Sequence, residues 1–223
     1  MKVWQVYYDD HTRSKLDTGC IPYSNVAKLD EFFENSVILD IWKNKRPEWR
    51  NENYVGVLSW RLFEKTNLTY ADIVAKAGGT EVCIIPELRY YNARGTMNIG
   101  VVKEISQLAD QEKLFPFDLC EFDLKYDNKE CVCYNNFFLV SPRVFDDYCK
   151  NYLQTAIEWL KTIPSRYCTH RGEKYPVAPF FLEGLFQCYV RHNKIPFKYL
   201  FDDKRKERAK KFEEINIREL LLN

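Results

Sequence analysis

Glycine is scarce in this chain, with 8 in 223 residues. The two loops that most often cradle phosphate, G-x-x-x-x-G-K and G-x-G-x-x-G, are both absent. A bound nucleotide would therefore be held by side chains at strand ends. Histidine is scarcer still, at three, and the eight cysteines include no C-x-x-C, so Cys131-Val-Cys133 alone makes a poor zinc site. In a chain of this size the cysteines, mostly set in apolar runs, are expected to be reduced, buried and structural. No window reaches the ~18 apolar residues of a membrane span, and Met1–Asp10 gains charge too early for a signal sequence. The expectation is a cytoplasmic protein with no transmembrane segment. Excess charge is lacking too: 33 Lys and Arg face 32 Asp and Glu, a net +1. No whole-molecule field draws in nucleic acid or an acidic membrane, and any anionic ligand must be met by a local patch.

Aromatics, by contrast, are abundant: 15 Tyr, 15 Phe and 5 Trp. A chain of this length hides about 70% of its unfolded surface, enough for one full core. Lys2–Tyr8 alternates and reads as a first, central strand. Residues 12–28 carry Gly19, Pro22, Ser24 and Asn25 without a period and read as a loop. Leu29–Trp42 has helical spacing and stops at the charged stretch Lys43–Arg50. Tyr54–Trp60 is an almost unbroken apolar run, the mark of a strand covered on both faces. Thr69 caps a helix over 70–77 that Gly78-Gly79 ends, and Glu81–Ile85 is another buried strand. A helix over 99–113, an irregular stretch over 114–129 and a strand over 132–140 follow. Ser141-Pro142 opens a helix to about Lys161. A further helix spans 180–193 and a last strand 197–201. Strands alternating with helices predict an α/β fold with a mostly parallel sheet flanked by helices. The predicted domain is 1–201, with a charged helical extension over 202–223 that either packs back or docks on a second subunit to make a homo-oligomer. The Lys- and Arg-rich start of that extension reads most simply as a solvated face.

In such sheets ligands sit beyond the carboxyl ends of the strands. The residues there are Tyr8-Asp9-Asp10, Ser59-Trp60-Arg61, Glu87–Arg94 and the turn at Ser141. Aromatics suit a base, carboxylates a ribose and arginines a diphosphate. Three sets of residues then resemble one family. They are Val6-Tyr-Tyr-Asp-Asp10 with Leu16-Asp17-x-Gly19-x-Ile21-Pro22 and Glu34-Asn35; Tyr54-Val-Gly-Val-Leu-Ser-Trp-Arg-Leu-Phe-Glu-Lys-Thr66; and Tyr134–Val140 with Phe145-Asp-Asp-Tyr148 and Phe181-Leu-Glu-Gly-Leu-Phe186. Together, over about residues 3–200, they resemble small glycosyltransferase-like proteins of polysaccharide biosynthesis clusters with the GT-A nucleotide-sugar-binding fold.

The resemblance implies a nucleoside-diphosphate sugar as co-substrate and transfer to a glycan or other hydroxyl acceptor. Such enzymes usually end the strand matching 54–60 with Asp-x-Asp, whose carboxylates hold Mn²⁺ or Mg²⁺. Here Ser59-Trp60-Arg61 stands there, so the need for a divalent metal is open and Arg61 is a candidate to neutralise the diphosphate itself. The plainer reading pairs Arg61 with a neighbouring carboxylate. Glu121, Asp123 and Asp202-Asp203 are the fallback metal carboxylates. Glu183 is the candidate base, set among apolar residues where burial raises a carboxyl's pKa; alternatively it is a first-turn Glu complementing a helix dipole. Tyr8 and Asp9 would meet base or ribose, or form only a turn. Asn135 and Asn136 would contact sugar hydroxyls, or mark a bulge. His170-Arg171 would close over the diphosphate, or belong to a surface loop. Two other functions compete: a non-catalytic GT-A-like binding or assembly protein, suggested by the missing Asp-x-Asp, and nucleic-acid binding through 204–211, which the neutral net charge disfavours.

Overall fold

The computed structural model describes residues 1–26, 32–85, 99–119, 136–163 and 176–201. Among these are six strands: β1 (Lys2–Tyr7), β2 (Ile21–Ser24), β3 (Val55–Ser59), β4 (Val82–Ile84), β5 (Phe138–Val140) and β6 (Phe197–Tyr199). They form one sheet in the order β2-β1-β3-β5-β4-β6. Only β5 runs against the others, pairing antiparallel with β3 and β4. The architecture is thus the expected mixed, mostly parallel α/β sheet, with β1 interior but one place from the edge.

Alternation along the strands divides the core into two layers. One side chain set, with Trp4, Val6, Val55, Val57, Ile84, Phe138 and Val140, packs under the larger helices. These are α2 (Glu34–Asn44), α6 (Ile99–Gln111), α7 (Pro142–Tyr148), α8 (Gln154–Leu160) and α9 (Ala178–His192). The opposite set, with Val3, Leu58, Cys83, Phe137 and Leu139, lies against Leu62 of α4 (Leu62–Thr66) and Ile73 of α5 (Tyr70–Lys76). Every residue of β3 is buried, as its almost unbroken apolar run requires. Gly56 lets β3 and β5 close up: a Cβ there would come within 2.5 Å of the Leu139 side chain.

Three local signals act as read. Thr69 and Asp72 form a capping box on α5. Gly78 and Gly79 then take positive φ, 129° and 73°. The Ser141 hydroxyl caps α7, accepting from Val144 N at 3.3 Å. The 12–28 stretch differs from expectation. It contains β2, and its first residues complete a helical turn, α1 (Asp10–Arg13). Pro22 removes a backbone donor, which only an edge strand tolerates, and β2 pairs on one side alone. The helix expected from Leu29 is described from Glu34 onward, and the charged stretch after it holds a further turn, α3 (Arg46–Trp49). Residues 141–160 form the expected long helix, interrupted by a π-helical turn at Cys149–Leu153. The 202–223 extension lies outside the described residues.

Cys20, Cys83, Cys149 and Cys188 are buried. Burial pushes the Cys20 thiol up to about 12. The other four cysteines lie outside the described residues. Among the described residues no helix is long and apolar enough to cross a membrane.

Candidate functional site at the carboxyl edge of the sheet

Strand direction decides where side chains collect. β1 and β3 are parallel neighbours, and Trp60 N donates to Val6 O at 3.0 Å, so Tyr8-Asp9 and Trp60-Arg61 leave the sheet side by side. β5 runs the other way, which brings its amino end to the same edge. Asn136 therefore stands beyond the carboxyl end of β4, where Ile85 N donates to Phe137 O at 2.8 Å. α2 and α9 each return against the strand that follows, so both begin at this edge. Phe186 stacks on Phe138 at 3.8 Å, and Glu183 lies one turn earlier on α9, toward Asn136. Tyr8, Asp9, Ser59, Trp60, Arg61, Asn136 and Glu183 thus share one edge. His170, Arg171 and Asn135 lie outside the described residues.

Each of these side chains has a local environment that limits what it can do. Asp9 caps α1: its Oδ1 accepts from Thr12 N at 2.7 Å, and the Thr12 hydroxyl accepts from Asp9 N and Tyr8 N at 2.9 Å each. The backbone and then the side-chain bonds from Thr12 lower the Asp9 pKa. Asp9 is exposed, and Oδ2 carries no hydrogen bond among the described residues, so one oxygen stays open to a hydroxyl donor. Trp60 is half-buried with the Lys15 ammonium 4.7 Å from its ring centre. Ser59 is buried, its hydroxyl accepting from Arg61 N at 3.4 Å. The Arg61 guanidinium forks onto Glu64, with Nη2–Oε1 at 2.5 Å and Nε–Oε2 at 3.3 Å. That is the plainer pairing, and an exposed bridge of this kind contributes only about 0–1 kcal/mol, so a diphosphate could displace Glu64. Glu183 is 8% exposed and sits in the second turn of α9, because the helix begins at Ala178. A macrodipole acts within the first turn, so the dipole reading of Glu183 loses its ground.

The fold is shared with a known glycosyltransferase. The match is to the apo structure of the bifunctional glycosyltransferase WbbM, with a TM-score of 0.53 at 14% identity, over 90% of this chain and 44% of that one. The chain thus spans less than half the length of WbbM. No protein-family model and no curated protein matches the sequence.

In this WbbM-like sheet the edge holds three buried amides, of which sequence reasoning singled out only Asn136 as a site residue. Asn25, fully buried at the end of β2, makes no hydrogen bond through either Nδ2 or Oδ1, although its backbone N donates to Tyr7 O at 2.9 Å. Asn35, 1% exposed in the first turn of α2, uses Nδ2 on Phe32 O but leaves Oδ1 without a partner. Asn136, 2% exposed with φ +54°, also has a bare Oδ1. The left-handed turn explains why an asparagine suits that backbone and leaves its buried carbonyl oxygen unexplained. Each buried polar group without a partner costs about 1–3 kcal/mol, and native structures keep few of them. Asn25 had been no more than a turn marker in the sequence. Its signal was weak, a polar residue closing the four-residue alternation Ile21-Pro-Tyr-Ser24.

The metal question can be put to the donor set. Among the described residues no group of three or more His, Cys, Asp or Glu is placed to hold an ion. The strand end that would carry Asp-x-Asp presents a hydroxyl, an indole and a guanidinium, which do not fit a divalent cation. Glu121, Asp123, Asp202 and Asp203 lie outside the described residues.

Proposed function

We propose that this chain is a glycosyltransferase that moves a sugar from a nucleoside-diphosphate sugar to a hydroxyl of a glycan or similar acceptor. The observation that carries the reading is that Asn25, Asn35 and Asn136, buried amides with bare oxygens or nitrogens, lie along the carboxyl edge of a sheet built like that of WbbM. Amides of this kind are costly in the empty protein and useful to a ligand rich in hydroxyls and ring nitrogens. In this reading Tyr8 and Trp60 offer ring faces to the base and Asp9 Oδ2 accepts from a ribose hydroxyl. Arg61, exchanging Glu64 for phosphate oxygens, stabilises the departing diphosphate with a planar pair of donors. Glu183 takes the proton of the acceptor hydroxyl as its oxygen attacks the anomeric carbon, and Asn136 positions a sugar hydroxyl. His170 and Arg171 are assigned to the diphosphate as further cationic donors. No step here uses a metal.

The test has two parts. Thermal shift against UDP, GDP, CMP and dTDP sugars should show stabilisation by one base class, and none at millimolar concentration refutes the reading. With the donor known, Glu183→Gln should lower kcat by about 10²–10⁴ with little change in KM. Transfer that persists at the wild-type rate removes Glu183 as the base.

A further inference from the structure

A second charged site lies at the other end of the sheet. Val140 pairs with Val55, the first residue of β3, so α7 starts at the amino edge, and Arg50 precedes β3 on that side. Five residues of β3 put this edge about 16 Å from Trp60. A groove of about 420 Å³ opens here, lined by Arg46, Trp49, Arg50, Arg143, Asp146 and Lys150 among others. Its walls are fixed. Asp146 accepts from Trp42 Nε1 at 2.7 Å and pairs with Arg46 at 3.2 Å, joining α2 and α3 to α7. Asp147 accepts from the Tyr189 hydroxyl at 2.8 Å and from Asn151 Nδ2 at 2.7 Å.

The charge balance is uneven. Four cations meet two carboxylates that are already engaged in structural bonds. Arg143 reaches Glu81 only at 3.6 Å, and neither Arg50 nor Lys150 has an ion-pair partner among the described residues. Lys150 and Asn151 come from the π-helical turn, an insertion that is rare in helices and frequent at functional sites. In a chain of net charge +1 this is the kind of local patch an anion requires. Arginine forks and a lysine ammonium match phosphate oxygens in particular.

We propose that this groove binds a phosphate-bearing group, at a site separate from the carboxyl edge and independent of the activity assigned there. The phosphate comes either from a soluble ligand or from a lipid headgroup. The full chain is titrated with inorganic pyrophosphate by calorimetry, and in parallel sedimented with vesicles of phosphatidylcholine with or without phosphatidylglycerol. Both probes are applied in an Arg61→Ala background, which removes the diphosphate site assigned to the carboxyl edge; there Arg50→Ala/Lys150→Ala, two exposed positions, should weaken whichever probe binds by about tenfold or more. Pyrophosphate binding assigns a soluble source, and binding confined to phosphatidylglycerol vesicles assigns a lipid. Failure of both probes in that background overturns the proposal, as does binding that the double variant leaves intact.

Discussion

Replacing Gly19 by alanine tests how the loop before β2 is seated, and so how Asn25 comes to be where it is. Gln5, buried in β1, accepts from Asp17 N at 2.7 Å and donates to Ser59 O at 3.2 Å. Asp17 in turn accepts from Gly19 N at 3.0 Å and from Tyr70 N, the first residue of α5, at 2.9 Å. A Cβ on Gly19 would come within 2.0 Å of Tyr70 Cδ1 and 2.6 Å of Cγ. Those atoms lie at the root of a ring whose backbone is held by Asp17, so it cannot swing clear. Overpacking of this kind costs about 1–3 kcal/mol. For a domain of this size that lowers Tm by about 2–4 °C per kcal/mol. In a Tyr70→Ala background the clash vanishes. Gly19 does not hold a left-handed φ, so alanine there should be neutral or stabilise by up to about 1 kcal/mol through the unfolded chain. Urea denaturation of the four proteins yields the coupling energy. If the Gly19→Ala penalty is the same in both backgrounds to within about 0.5 kcal/mol, the seating of this loop on Tyr70 is wrong.

Asn25→Leu keeps the side chain's shape and removes two buried polar atoms without partners; it should stabilise the unliganded protein by about 1–3 kcal/mol in urea denaturation while weakening nucleotide-sugar binding. A loss of stability would show that the amide is satisfied in solution. Arg61→Ala should weaken nucleoside-diphosphate binding about tenfold or more by calorimetry, whereas Glu64→Ala, which removes the competing carboxylate, should preserve or tighten it; equal losses would make the bridge structural only. Asp9 and Asp72 both titrate below the ordinary 3.8, held down by bonds from Thr12 and Thr69. The stability these caps add is full above pH 3.8 and is lost as pH falls through their lower folded-state values, so carboxyl NMR titration should give midpoints under 3.8 for both. Cys20 and Cys149 should resist a thiol reagent at pH 8 until denaturant is added, because burial disfavours both thiolates.

How far the sequence discloses this arrangement depends on whether the cause is local. β3 and β4 are legible because each is an apolar run covered on both faces, and α5 and α7 because Thr69 and Ser141 cap them within three residues. β2 is not legible: four residues with Pro22 on an edge become a strand only because β1 pairs with them. The short α3 and α4, four and five residues, are likewise set by what they pack on rather than by propensity. The Arg61–Glu64 bridge follows from i,i+3 spacing once 62–66 is known to be helical. The Asp17-x-Gly19 pattern could be noticed only as a resemblance. Its physical reasons, Gln5 and Tyr70, are 12 and 53 residues away from Asp17.

The two ends of the sheet solve different problems of charge. A nucleoside diphosphate carries its anion next to a neutral base and sugar, so its site needs mostly neutral hydrogen-bonding groups and a few cations. The carboxyl edge has that balance: three buried amides, one open carboxylate oxygen, and Lys15 and Arg61 beside Trp60. Scarce glycine is consistent with the proposed site, in which side-chain amides would do the work that backbone N–H groups do in a glycine loop. The amino-edge groove is weighted the other way, with four cations against Asp146 and Asp147, and the positive charge left over is relieved when an anion joins it. Losing Arg50 and Lys150 should therefore leave the protein at least as stable without ligand. A destabilised double variant would mean that these cations serve the fold.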